Sequence, residues 1–237
     1  MKNSLHLLTA GLLCSSAYSA TFLTGWDSKA NLGFTMTRGN SETSLITSSI
    51  ALKKQVAKDE YSIGLAYSFS ENEGTSTADE LTGLYNWNRI LSDTNYLGFK
   101  AEGRRDDIAK VDYRIQATAT YGNYFVKNDI SEFCLEAGPG FTAESLDSDK
   151  KNYAHIYVGE RAMRKVTDNT QLFQTLSIYK DVSDFEKFNL IFTLGVETKM
   201  NDNLSLRVTL ENKYESQPAA GALNNDTKLI SGVSYTF

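Results

Sequence analysis

Five aspartates in short polar turns recur along the chain at nearly even intervals, and this repeat limits the fold more than any other feature. Asp59, Asp93, Asp129, Asp168 and Asp202 are spaced by 34, 36, 39 and 34 residues. They sit in the polar segments 55–60, 91–95, 126–129, 166–170 and 200–203. Asp and Asn side chains hydrogen-bond their own backbone two residues on, which suits tight turns. Between these turns lie generally longer, more variable polar stretches at 38–42, 71–78, 106–111, 144–152, 183–187 and 215–225. Six loops and five turns join twelve strands, with both termini on the turn side. The expected fold is all-β: an antiparallel up-and-down transmembrane β-barrel of about twelve strands, with short turns at one end and longer loops at the other.

The segments between the turns alternate as strands do. In residues 61–70, Tyr61, Ile63, Leu65, Tyr67 and Phe69 share one face, and only Ser, Gly and Ala share the other. Elsewhere the second face is charged. It carries Lys100, Glu102 and Arg104 in the fifth segment, Asp112 and Arg114 in the sixth, and Glu132 and Glu136 in the seventh. Glu197 and Lys199 in the tenth and Arg207, Glu211 and Lys213 in the eleventh continue it. These twelve residues are the expected lumen lining, as pore or as plug. Three segments are weaker. Residues 43–54 hold many hydroxyls, Glu160 or Arg161 breaks the pattern of 153–165, and the outer face of 171–181 is not assigned by pattern.

Alternation alone also fits a soluble sandwich, whose polar face looks outward. Composition narrows the choice. The mean hydropathy is −0.35, and no apolar run of ~20 residues, the length of a membrane helix, follows residue 20. A membrane-spanning form of this chain therefore crosses as strands. The formal charge of −5 comes without any basic patch, so nucleic acid is not an expected partner. Residues 1–20 read as a secretory signal peptide, with Lys2, an apolar run from Leu5 to Leu13, and small residues before a cleavage point between 17 and 20. Residues 21–237 are then one barrel domain. Cys14 leaves with the signal, and Cys134, alone, is read as a small strand residue. The signal, strand lengths of about 9–11 residues and the turn–loop asymmetry select the membrane barrel.

The last strand ends on Tyr235 and Phe237. This aromatic pair resembles the C-terminal signature of bacterial outer-membrane proteins, which implies recognition by the barrel-assembly machinery. Four stretches carry a wider resemblance: residues 32–43 (LGFTMTRGNSET), 59–64 (DEYSIG), 135–141 (LEAGPGF) and 232–237 (GVSYTF). On them the chain resembles the YdiY-like family of salt-induced outer-membrane proteins. The resemblance spans the mature chain. It implies an outer-membrane location among outer-membrane lipids and assigns no chemistry.

No catalytic constellation emerges. His155 is the single histidine after the signal, flanked by apolar and aromatic strand residues. Glu144, Asp147 and Asp149 share one stretch and read as a solvated acidic loop rather than a Ca²⁺ site. No cofactor and no enzymatic activity are expected, and the oligomeric state is open. If the fifth and sixth strands pair so that residue numbers sum to 216, Arg104 faces Asp112 and Glu102 faces Arg114, a favourable ladder. The expected function is a non-enzymatic envelope barrel, either a narrow pore for small hydrophilic solutes or ions, or a plugged barrel acting through its loops. A membrane-embedded hydrolase is the remote third reading.

Overall fold

The computed structural model describes residues 25–37 and 43–237. The signal-peptide segment and the first expected loop, 38–42, lie outside the described residues. Twelve strands follow in order: β1 (Asp27–Thr37), β2 (Thr43–Val56), β3 (Asp59–Asn72), β4 (Thr75–Ile90), β5 (Asn95–Asp106) and β6 (Val111–Lys127). Then come β7 (Ser131–Leu146), β8 (Asp149–Lys165), β9 (Thr170–Asp181), β10 (Phe188–Lys199), β11 (Leu204–Glu215) and β12 (Asn225–Thr236). Each pairs antiparallel with its neighbours in sequence, and β12 returns to β1 to close the barrel. Closure removes the free sheet edges.

The alternation becomes inside and outside. Leu32, Phe34, Ile50, Leu65, Ile115, Phe141 and Leu229 stand on the outer face, each more than half exposed. Glu80, Arg104, Arg114, Thr118, Glu144 and His155 point inward and are buried. The three weak segments settle in the same way. β2 turns Ile46 and Ile50 out, and Thr47 and Ser49 in. In β8 it is Glu160 that sits on the outer face, where Gln174 Nε2 donates to it at 2.8 Å. In β9, whose pairing sets Tyr157 opposite Tyr179, the outer face is Leu172, Leu176 and Ile178 with Gln174 and Lys180, so two polar residues masked it.

Two expected loops are mostly strand. The stretch 71–78 contracts to the turn Glu73–Gly74, with φ of 49° and 79°. The stretch 144–152 contracts to Asp147–Ser148, with φ of 48° and 69°. Two successive left-handed residues form the tight hairpin turn whose twist matches the strands. Polar residues there mark strand ends beyond the apolar belt, so β6 and β8 reach 17 residues. The longest connections among the described residues are 182–187 and 216–224.

The register between β5 and β6 is also corrected. Lys100 pairs with Thr118 and Glu102 with Gln116, so residue numbers sum to 218 rather than 216. Arg104 therefore faces Arg114, and an extra residue in β6, at Asp112, shifts the ladder before Asp106 meets Val111.

Candidate functional site: the lumen

The lumen holds three charged clusters, each built by alternation on several strands. At the loop end, β5 supplies Arg104 and β6 supplies Arg114. Arg104 donates to Glu80 Oε1 at 2.9 Å, to Asp106 Oδ2 at 2.7 Å and to Glu215 Oε1 at 2.7 Å. Arg114 donates to Glu144 at 2.7 Å and to both carboxylate oxygens of Glu215, at 2.8 and 3.0 Å. Glu215 hangs from β11, so this bond crosses the lumen. Lys187 also pairs with Glu144. Glu80 receives Lys213 from β11 and Lys228 from β12. Each carboxylate thus has at least one cation, and the guanidinium forks are satisfied, which is what buried ions require.

Toward the turn end, Glu136 on β7 gathers Lys100 at 2.7 Å and the hydroxyls of Tyr96 and Tyr157, each at 2.7 Å. Arg161 donates to Glu132 at 2.8 Å and to the Tyr124 hydroxyl at 3.1 Å. Tyr96, Tyr124 and Cys134 pack below as a small buried cluster. The third cluster lies on the other side of the barrel. Glu197 receives Lys29 from β1 and Arg207 from β11, and the Arg207 guanidinium lies 4.1 Å from the ring centre of Phe173.

Between the first and third clusters a cavity of about 190 Å³ remains. One wall is small and hydroxylic: Asn31, Gly33, Thr47, Ser49, Ala66 and Ser68 from β1–β3. Facing it are Thr193, Arg207, Thr209, Glu211 and Ile230. The inward residue one step nearer the loops on β11 is Lys213, and on β12 it is Lys228. The Glu80–Lys213–Lys228 group therefore bounds the cavity on the loop side. Lys29, one inward step from Asn31 along β1, and Glu197, two inward steps from Thr193 along β10, bound it on the turn side.

The twelve expected lining residues divide. Lys100 and Glu136 form one pair and Arg207 and Glu197 another. Lys213 bridges Glu80 and Glu211, Glu132 pairs with Arg161, and Glu102 accepts from Tyr179 at 3.3 Å. Arg104 and Arg114 are brought together through Glu215. Lys199 sits exposed at the turn-end mouth. Asp112 is a correction: it is exposed, and its carboxylate accepts from Ser145 Oγ at 2.7 Å and Ser148 N at 2.9 Å. A break in the β6–β7 ladder between Val111 and Tyr113 takes it out of the inward register.

Several lumen residues escaped the sequence reading: Glu80, Asp106, Glu144, Lys187, Glu215 and Lys228. Four of them were assigned to loops. Extending the alternation would have found three, because Asp106, Glu144 and Glu215 each lie two residues past an inward position. Glu144 is accordingly no partner of Asp147 and Asp149, which stay exposed with Lys110 and Lys151. His155 is buried, with its ring nitrogens hydrogen-bonded to Thr118 Oγ1 at 2.9 Å and Thr142 Oγ1 at 2.8 Å. Its ring meets Tyr179 edge-on at 5.3 Å.

A closed, all-antiparallel twelve-stranded barrel with an apolar exterior and a charged, partly filled lumen defines the class: a barrel of the outer-membrane type. The chain belongs to the family described as "Protein of unknown function, DUF481", whose model matches residues 30–237. Among curated proteins no sequence match is found. Among solved structures the barrel is similar to the NanC porin, with TM-score 0.57 and 7% identity over 89% of this chain and 100% of that one. It is also similar to the translocator domain of the autotransporter NalP from Neisseria meningitidis, with TM-score 0.50 and 14% identity over 90% of this chain and 87% of that one. At these identities the likeness is one of fold.

Proposed function

We propose that this chain is a non-enzymatic barrel of the bacterial outer membrane that carries a narrow pore for small hydrophilic solutes or ions. The observation that carries this reading is the hydroxyl-walled cavity held between two ion-pair groups, Glu80–Lys213–Lys228 and Lys29–Glu197–Arg207. A lumen designed only as a core would fill that wall with large side chains, as small eight-stranded barrels do. Here the β1–β3 wall is Ser, Thr, Ala and Gly, and the bulky charged residues stand elsewhere. Mixed signs along the route argue for weak charge selectivity.

The outer-membrane setting rests on the apolar exterior and on Tyr235 and Phe237, whose rings stack edge-on at 5.1 Å at the end of β12. That pair suits an interfacial girdle and is the proposed handle for the assembly machinery. The resemblance to YdiY-like salt-induced proteins extends the proposal to an envelope under salt stress. The competing reading is a plugged barrel that acts through its loops, and it is favoured by the Glu215 bridge across the lumen.

Planar-bilayer recording of the refolded, heat-modifiable protein over a range of KCl concentrations decides between them. Discrete, reproducible steps of conductance are expected. Silence from folded barrel would overturn the pore and leave the plug.

A further inference from the structure

Every neighbouring strand pair in the barrel is zipped over most of its length except one. The β1–β12 ladder runs from Lys29↔Thr236 to Gly33↔Gly232 and stops. Beyond it, residues 34–37 remain paired to β2 alone, and residues 225–231 to β11 alone. Across this upper seam the Thr35 side chain reaches over, its Oγ1 donating to the Leu229 carbonyl at 3.4 Å. Backbone groups left unpaired at membrane depth are costly, so an open ladder there is uncommon and calls for an occupant or a function.

The top of the zipped part is built for close approach. A Cβ on Gly232 would lie 2.1 Å from the Leu32 carbonyl, and one on Gly33 would lie 2.4 Å from Thr47 Oγ1. Directly inside stands the 190 Å³ cavity, whose lining includes Leu32, Gly33, Ile230, Gly232 and Val233 from the two seam strands. The pairs Leu32–Val233 and Gly33–Gly232 close the lower part of this wall, and Ile230 lines the cavity just above the point where the ladder ends.

We propose that the β1–β12 seam above Gly33 and Gly232 is a lateral gate, through which the cavity takes a single-chain amphiphile with a small uncharged head. The chemistry on each side selects the ligand. Thr47, Ser49, Thr193 and Thr209 offer hydroxyls to a polyol head, while Arg207 and Glu211 are already neutralised by Glu197 and Lys213. Leu32, Phe34, Leu229 and Val233 make the outer lips apolar, each at least 40% exposed, which suits the hydrocarbon chain.

The test staples the seam. Continuing the register places Phe34 opposite Ser231, both on the outer face. The double variant Phe34→Cys/Ser231→Cys is purified in a bulky-headed maltoside detergent and titrated with 1-monolauroylglycerol, with binding read by native mass spectrometry. The reduced form is expected to bind the monoglyceride, and the oxidised form of the same variant to bind it at least tenfold more weakly. Equal binding by both forms, or binding by neither, overturns the gate. Bilayer conductance of the oxidised form is expected to be unchanged, because the axial route does not cross the seam. Failure of the gate and failure of the pore are thus read separately.

Discussion

Arg104 and Arg114 face each other across β5 and β6, and the carboxylate that holds them, Glu215, reaches from β11 on the opposite side of the lumen. Like charges directly opposite are unfavourable in a ladder. Here the repulsion is offset by Glu215 between them and by Glu80, Asp106 and Glu144 around them. The barrel is cross-braced at this level, and four predictions follow from its geometry.

Replacing Glu215 by Gln leaves two buried guanidinium groups without their shared counter-charge. Removing one partner of a buried pair costs about 3–5 kcal/mol. The exposed pair Arg105–Asp107, with side chains 65% and 45% accessible, is the comparison. Arg105→Ala is expected to change stability by about 0–1 kcal/mol. Unfolding of both variants in urea, followed by tryptophan fluorescence and by loss of heat-modifiable migration, checks the difference. Equal effects would contradict the cross-brace.

Glu80 is the one carboxylate that Lys213 and Lys228 share. Glu80→Gln leaves both ammonium groups, and Arg104, facing the route with one negative charge fewer. In the pore reading, the reversal potential across a KCl gradient is expected to move toward anions. Lys228→Gln is expected to move it toward cations. A shift of the same sign in both variants would rule out this group as the constriction.

Backbone approach in β7 makes Gly138 irreplaceable in a way that Gly83 and Gly103 are not. A Cβ at Gly138 would lie 1.8 Å from the Ala119 carbonyl, whereas one at Gly83 or Gly103 would meet nothing within 4 Å. Overpacking of this kind costs about 1–3 kcal/mol. Gly138→Ala should unfold at lower urea concentration, with Gly83→Ala and Gly103→Ala close to the unmodified protein.

The two long loops are tied by Gln217 Nε2 donating to Asp184 Oδ2 at 2.9 Å. That bond, with the backbone amide of Glu186, holds the Asp184 carboxyl below the usual aspartate range. A carboxylate with a lowered pKa stabilises the folded arrangement above its ordinary pKa and loses that contribution as pH falls through the lowered one. The tie should therefore persist at mildly acidic pH and open only below the usual aspartate range. Carbon-detected NMR titration of Asp184 should show its pKa rising toward the ordinary value in Gln217→Ala; an unchanged titration would remove the bond from the account.

The barrel class, the strand number and the outer face were legible because they depend on local signals. Alternation over 61–70 places Ile63 and Leu65 outside whatever their neighbours are, and Asp93 or Asp202 turns the chain wherever it lies. Strand ends were less legible. Glu144 and Asp147 look alike in sequence, yet one is buried against Arg114 and the other ends a hairpin. Polar residues above the apolar belt carry no sign of whether they are strand or loop.

Outside residues 153–165 and 171–181 and the bulged Asp112, the sequence by itself determined which residues face in and which face out, since side-chain period along a regular strand needs no partner. The tertiary structure alone decided which inward charges meet. Asp112 is bulged out of β6 and Arg104 pairs with Arg114, and closure of the barrel brought Glu215 and Lys228 to residues 101 and 148 positions away. Register depends on the sum of turns, bulges and strand stagger around the whole ring, and a shift of one residue exchanges the faces of every pair beyond it.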